Sequence, residues 1–293
     1  MSFLLYIAMA ASCLVVGPSK VDCLWPAGGE EIVVEKSKPT RVGEAVDVLL
    51  TAQAALAWDW ETGEVLYEKE ANTRRPVASL VKLLTVLTAG TKIGPGDLVL
   101  ITKEAINTQR LGAHVKLPLN EQVRGDQLYK AALVASANDA AVALGVATSG
   151  SEEKFVEEAN AMAMSLGVED TKIANATGLS GGEQYSTAAD VRSLLAKVYE
   201  DDLLRPYMSA EGGVLITEQG SRRAYESTNH LLGTYLPILA GKTGYTVEAG
   251  ENLAVLTHGP EGRVLGVIVL GSNDRFQDVK VLAEWIDRNY TWE

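Results

Sequence analysis

Apolar positions change their spacing several times along the chain, and each change marks a different element. Phe3 to Gly17 is almost continuously apolar. "AALAWDWETGEVLYEKEA" (Ala54 to Ala71) places two apolar runs either side of Glu-Thr-Gly, with Gly63 free to take positive φ, and this predicts a β-hairpin. In "SLVKLLTVLTAGTK" (Ser79 to Lys92), Leu80, Leu83, Leu84 and Leu87 recur at helical spacing, with Pro76 and Ser79 placed as a helix start. "GDQLYKAALVASANDAAVALGVA" (Gly125 to Ala147) predicts two helices interrupted near Ser136. Amphipathic helices follow over Ser151 to Gly167 and Ser186 to Glu200, the second with Thr187 and Asp190 as a variant capping box. Beyond residue 210 the pattern turns to short apolar runs, "GVLIT", "NLAVLTH" and "RVLGVIVLGS", bounded by Gly, Asn and Pro. These predict strands, the last two joined by "GPEG" (Gly259 to Gly262), and "RFQDVKVLAEWIDRNY" closes as a helix. Strands first and last with helices between predict an α+β fold, in which both ends of the chain build one antiparallel sheet beside an all-helical lobe.

Composition narrows the function classes. Of 293 residues 47% are hydrophobic and 22% charged, which suits a compact globular protein of one large domain or two small ones. A net charge of −12 argues against a nucleic-acid binder. Cys13 and Cys23 lie near the N-terminus, so no disulfide framework spans the body. His114, His230 and His258 show no ligand spacing, so neither a metal nor a cofactor is expected. The apolar run at the N-terminus falls short of the roughly 20 residues a membrane span needs. It fits a secretory h-region with small residues at Ala8, Ala10 and Ser12, although no Lys or Arg precedes it. Residues 1–24 therefore read as a signal peptide or an N-terminal membrane anchor, with lipidation at Cys13 a third option. Residues 25–50 read as a linker and 51–293 as the folded domain.

The stretch "LAGKTGYT" (Leu239 to Thr246) admits two chemistries. Gly-Lys-Thr ends a phosphate-binding loop, but the pattern wants glycine at position 236, which is Leu236, and a following helix, where glycines lead instead to a strand. Lys242-Thr243-Gly244, read one residue later, has partners. Ser79-Leu80-Val81-Lys82 is an S-x-x-K, and residues three apart share a helix face, so the amine reaches the hydroxyl. A serine needs such a base, and a lysine serves as one only if burial or another cation lowers its pKa. Ser136-Ala137-Asn138 sits at a break between helices, where a hydroxyl can relay a proton and an amide can hold a carbonyl. Lys242 and the Thr243 hydroxyl can grip a carboxylate, and Gly244 allows close backbone approach. Each motif alone has a bland reading: a helix cap for Ser79, a helix end and cap for Ser136 and Asn138, a polar turn for Lys242 to Gly244.

Together, in this order, the three motifs resemble those of the penicillin-recognising serine enzymes. "DWETGEVLYEKEANTRRPVASLVKLLT", "ASANDAAVALG", "NATGLSGGEQYSTAADV", "GKTGYTVEAGENLAVL" and "GSNDRFQDVKVLAEW" are similar to the low-molecular-mass penicillin-binding proteins, the serine-type D-Ala-D-Ala carboxypeptidases. The resemblance covers about Ala54 to Tyr290 and implies a β-lactamase/transpeptidase-like fold. It implies Ser79 as nucleophile, Lys82 as base and Ser136 as proton carrier. Asn138, Lys242, Thr243, Gly244 and Tyr245 would hold the substrate, the backbone N–H groups of Ser79 and Tyr245 forming the oxyanion hole. The implied substrate is a peptidoglycan stem peptide ending in D-Ala-D-Ala, with β-lactams as covalent inhibitors and an address outside the cytoplasmic membrane. Many relatives add a β-rich domain and an anchor helix; here the catalytic domain is expected alone, any membrane contact being left to the N-terminal segment. Arg275 is a candidate for added positive charge. Ala240 and Gly241 are smaller than in many relatives and are expected to loosen the site. A class A β-lactamase is the nearest rival, but Ala137 stands where it needs Asp, and Glu183, the one candidate for its deacylating glutamate, has unmatched flanks. A catalytically dead peptidoglycan-binding protein is the rival from another class, and the complete motif set argues against it.

Overall fold

The computed structural model describes residues 12–15, 21–24, 37–42 and 47–292. The leader, anchor and lipidation readings fall largely outside these residues; within 1–24 only the antiparallel pairing of Ser12–Val15 with Val21–Leu24 is described. Thr40–Arg41 pairs with Tyr290–Thr291, tying the start of the chain to its end.

A five-stranded antiparallel sheet forms the body: β1 (Ala54–Asp59), β2 (Val65–Lys69), β3 (Ile238–Thr246), β4 (Gly250–His258) and β5 (Val264–Ser272), in the order β3-β4-β5-β1-β2. Both ends of the chain thus meet at the β5–β1 pairing, where Ile268 lies opposite Leu56. The hairpin β1–β2 turns through Gly63 at φ +75, and β4–β5 turns through Pro260–Gly262, as the patterning predicts. Between β2 and β3 run the helices α1 (Lys82–Gly90), α2 (Lys103–Asn107), α3 (Gly125–Val134), α4 (Asn138–Ser149), α5 (Glu152–Ser165) and α6 (Ala188–Glu200); α7 (Arg275–Asn289) follows the sheet.

All six residues of β1 are buried because both sheet faces are covered. Successive side chains point to opposite faces. Ala54, Leu56 and Trp58 join the core shared with α1 and α6, while Ala55 and Ala57 join Val267, Val269, Val279 and Leu282 beneath α7. Each fully buried Leu or Val contributes about 1.5–3 kcal/mol. Gly266 stands opposite Trp58, and a Cβ there would lie 2.1 Å from the indole, so only glycine leaves room for the ring. Buried Asp278 of α7 accepts from the backbone N–H of Thr51 (3.0 Å) and Ala52 (2.7 Å) and from Ser272 Oγ (2.6 Å), pinning α7 to the entry of β1.

Some elements differ from the sequence expectation. "GVLIT" joins no main sheet strand: Gly212–Ile216 pairs with Arg222–Glu226 in a separate ribbon. A second ribbon pairs Leu98–Leu100 with Gln122–Arg124. The helix predicted from Ser79 begins as a 3-10 turn, Ala78–Val81, and Ser79 does not cap it. Thr187 does cap α6, accepting from Asp190 N at 3.0 Å, while the Asp190 carboxylate takes the Thr171 hydroxyl.

Candidate active site

Ser79 lies in the 3-10 turn that opens α1, with Ala78 before it at φ +48. The tight turn brings the half-buried Ser79 Oγ to 2.8 Å from Lys82 Nζ. Lys82 is fully buried, and its amine also lies 2.8 Å from Asn138 Oδ1 and 2.7 Å from the Thr177 carbonyl. Its pKa is held well below that of an ordinary lysine, first by burial and then by the charge of Lys242; Asp139 pulls weakly the other way. A neutral amine has two hydrogens and one lone pair. In that form the two oxygens, which can only accept, would take the hydrogens, and the lone pair would face the Ser79 hydroxyl.

The Thr177 carbonyl is held in place by its own loop. Asn175 Oδ1 accepts from Thr177 N (3.1 Å), Thr177 Oγ1 (2.7 Å) and Gly178 N (2.8 Å). Gly178 takes φ +77, and a Cβ there would lie 2.1 Å from the Ala78 carbonyl oxygen. The loop can therefore approach the Ser79 turn only with glycine at this position.

Ser136 sits between α3 and α4 at φ +55, a left-handed conformation that costs an L residue about 1–2 kcal/mol. It is buried, and its Oγ lies 2.8 Å from Lys242 Nζ. Asn138 opens α4, but neither it nor Ser136 caps the helix; the capping position is Ala137, with no side-chain bond. Instead Asn138 Oδ1 faces Lys82, and its Nδ2 donates to the Leu111 carbonyl at 2.8 Å. The next residue, Asp139, is fully buried and accepts from Val115 N (3.2 Å), Leu117 N (2.9 Å) and Gln109 Nε2 (3.0 Å), fixing the loop that carries Leu111.

Lys242, Thr243 and Gly244 lie inside β3, the edge strand of the sheet, rather than at its start. Gly241 N donates outward to the Met208 carbonyl at 2.9 Å, so by the alternation of the strand the N–H groups of Thr243 and Tyr245 also point off the sheet edge. Lys242 is fully buried, and its pKa falls to about 7, chiefly from burial and secondly from Arg275. Arg275 Nη1 donates to the Gly244 carbonyl at 2.9 Å. A Cβ on Gly244 would lie 2.6 Å from the Val77 carbonyl oxygen and 3.2 Å from Ser79 N, so β3 passes directly over the Ser79 turn. Gly241 does not loosen the strand. The amide of buried Asn229 fills the space a side chain would take, its Nδ2 2.5 Å from the missing Cβ.

Ser79, Lys82 and Asn138 are therefore joined by hydrogen bonds, Ser136 is joined to Lys242, and Gly244 lies against the Ser79 turn. Glu183 is exposed and pairs with Lys172 at 2.6 Å. Sequence reasoning missed the Thr177 carbonyl, the Leu111 carbonyl, Asn229 and Thr228, whose hydroxyl shares a hydrogen bond with that of Thr243. Two of these act through the backbone, and the signal for Thr177 lay only in the Asn-Ala-Thr-Gly string around it. The arrangement offers a hydroxyl beside a buried amine whose pKa is lowered, and a second buried lysine with Arg275 nearby, a set that suits acyl transfer to serine.

Comparison with known proteins agrees. A model of the D-alanyl-D-alanine carboxypeptidase family matches residues 40–273. The carboxypeptidase DacF of Bacillus subtilis is 28% identical over 233 residues, covering 78% of this chain and 60% of its own length. The D-alanyl-D-alanine endopeptidase of Pseudomonas aeruginosa is 30% identical over 258 residues, covering 87% of this chain and 83% of its own. The chain thus spans less than two thirds of the first relative and most of the second. Among solved structures, a D-alanyl-D-alanine carboxypeptidase from Mycobacterium tuberculosis superposes with a TM-score of 0.75 at 24% identity, over 84% of this chain and 95% of that one. The Streptomyces K15 DD-transpeptidase gives 0.76 at 23% identity, over 83% of this chain and 99% of that one. At such identities the superpositions speak to fold, and the fold is the one expected. With the family model spanning most of the folded body, the chain belongs to the D-alanyl-D-alanine carboxypeptidase family of peptidases.

Proposed function

We propose that the protein is a serine-type D-Ala-D-Ala carboxypeptidase acting on peptidoglycan stem peptides. The observation that carries this reading is the Ser79 hydroxyl 2.8 Å from a fully buried Lys82 whose pKa is strongly lowered. Lys82 takes the Ser79 proton as Oγ attacks the carbonyl carbon of the penultimate D-alanine. The oxyanion forms against the backbone N–H groups of Ser79 and Tyr245. Lys242, Thr243 and the charge of Arg275 hold the terminal carboxylate, and Asn138 holds the substrate amide. Ser136, its hydroxyl 2.8 Å from Lys242, passes the proton to the departing D-alanine nitrogen. Water then frees the acyl-enzyme. A β-lactam follows the same first step, but its leaving group stays tethered and the adduct persists.

Labelling with a fluorescent penicillin tests this: wild type takes a covalent label and Ser79→Ala does not. A label that survives Ser79→Ala would sink the proposal. Release of free D-alanine from a pentapeptide completes the assay. An endopeptidase cutting crosslinks with the same residues is the second reading, favoured by the name of the Pseudomonas relative. Product analysis on crosslinked muropeptides separates the two. The substrate places the protein outside the cytoplasmic membrane. Among the described residues no helix is long and apolar enough to cross a membrane.

A further inference from the structure

We propose that Thr228 is a positioning residue, one that turns the hydroxyl of Thr243 into an obligate donor toward the substrate carboxylate. The inference rests on the reading of Thr243 as a carboxylate ligand. Thr228 Oγ1 and Thr243 Oγ1 share a hydrogen bond in which either atom has the geometry to donate. Each hydroxyl has one proton, and a carboxylate only accepts. While that shared hydrogen bond is kept, Thr243 can give its proton to a carboxylate only when Thr228 gives its own to Thr243. Occupied by substrate, the pair becomes a one-way chain from Thr228 through Thr243 to the ligand. Lys242 does not set this direction, because its ammonium reaches the Thr243 carbonyl and the Ser136 hydroxyl instead.

Thr228 is held firmly enough for this task. Its N–H donates to the Val134 carbonyl at 3.2 Å, two residues before Ser136. Ser227 N donates to the Glu211 carbonyl at 2.8 Å, and Ser227 Oγ accepts from Asn229 N at 3.1 Å. Asn229 is buried against Gly241, where its amide fills the volume a side chain would need. The segment Ser227-Thr228-Asn229 is thus clamped between the helix break that carries Ser136 and the strand that carries Lys242. The missing side chain at Gly241 and the amide of Asn229 are two halves of one fitted contact. Thr228 is a member of the site that none of the three motifs contains.

The test compares acylation rates with benzylpenicillin and with its methyl ester, which lacks the carboxylate. Thr228→Val keeps the shape and removes the hydroxyl. Its rate with benzylpenicillin is expected to fall about ten- to a hundredfold, the loss of one hydrogen bond to a charged group. Its rate with the ester should stay within about twofold of wild type, and Thr228→Ser should restore the benzylpenicillin rate to within about threefold. An equal fall on both compounds, or no fall on benzylpenicillin, overturns the assignment. Thr228→Ala gives the same comparison should the valine variant misfold. Wild type that takes no penicillin at Ser79 overturns the functional reading as well, whereas labelled wild type with an unselective Thr228→Val overturns Thr228 alone.

Discussion

Lys242 makes carboxylate binding a proton-uptake reaction. In the free protein its pKa is about 7, lowered from 10.5 by burial and by Arg275. A bound carboxylate is stabilised mainly by the charged form. Affinity should therefore fall by a factor of 1 + 10 raised to the power pH minus 7. That factor is about 2 at pH 7, about 11 at pH 8 and about 100 at pH 9, a loss of about fiftyfold between pH 7 and pH 9. Lys82 must be neutral to act as a base, and the charge on Lys242 helps keep it so. The productive state has Lys82 uncharged and Lys242 charged, and acylation by a carboxylate-bearing β-lactam should trace a bell. Its rising limb belongs to Lys82 and its falling limb, centred near 7, to Lys242. Stopped-flow acylation from pH 5.5 to 9.5 reads both limbs, and calorimetry in buffers of different ionisation enthalpy counts the protons taken up. Arg275→Gln removes the second cause of the shift and should move the falling limb to higher pH. A rate independent of pH from 7 to 9, with no buffer-dependent heat, would refute the reasoning.

Three further outcomes follow from the geometry. Ser136→Gly relieves a left-handed φ of +55 and should raise Tm by about 2–4 °C, for about 1 kcal/mol, while abolishing Ser79 acylation; Ser136→Ala should lose acylation without the gain. Gly178→Ala forces a methyl to within 2.1 Å of the Ala78 carbonyl oxygen, so acylation should fall more than about a hundredfold while far-ultraviolet circular dichroism still reports a folded chain. Stability should rise from pH 7 to pH 9, because Lys242 releases its proton near 7 in the native state but only near 10.5 when unfolded, leaving the unfolded state with more bound protons in that window; urea midpoints at the two pH values check the sign.

The legible parts of the molecule are those fixed by local pattern. The leucine spacing of α1, the break at Ser136 and the Gly63 hairpin all follow from side chains that choose their own backbone. β3 was harder to read, because Gly241, Lys242, Thr243 and Gly244 carry almost no apolar signal; pairing with β4 and packing under the Ser79 turn make them a strand. The three motifs announced the Ser79 hydroxyl, the two lysine amines and the Asn138 amide. They could not announce the Thr177 and Leu111 carbonyls, since a backbone oxygen has no residue type to betray it. Thr228 stayed hidden for another reason: its role depends on a contact made 15 residues away with Thr243 and on the amide beside it filling the space above Gly241.

The pairing of β1 with β5 also governs when the site comes into being. Trp58 waits for Gly266, and Leu56 for Ile268, so the sheet cannot close until nearly the whole chain has been synthesised. Ser79 and Lys82 emerge early and are local to one another, but the charge of Lys242 that helps keep Lys82 neutral arrives some 160 residues later. Contacts so distant in sequence form late and slowly. On the proposed function, a nascent chain carries Ser79 without a working base, and reactivity toward β-lactams becomes a reporter of completed folding rather than of synthesis.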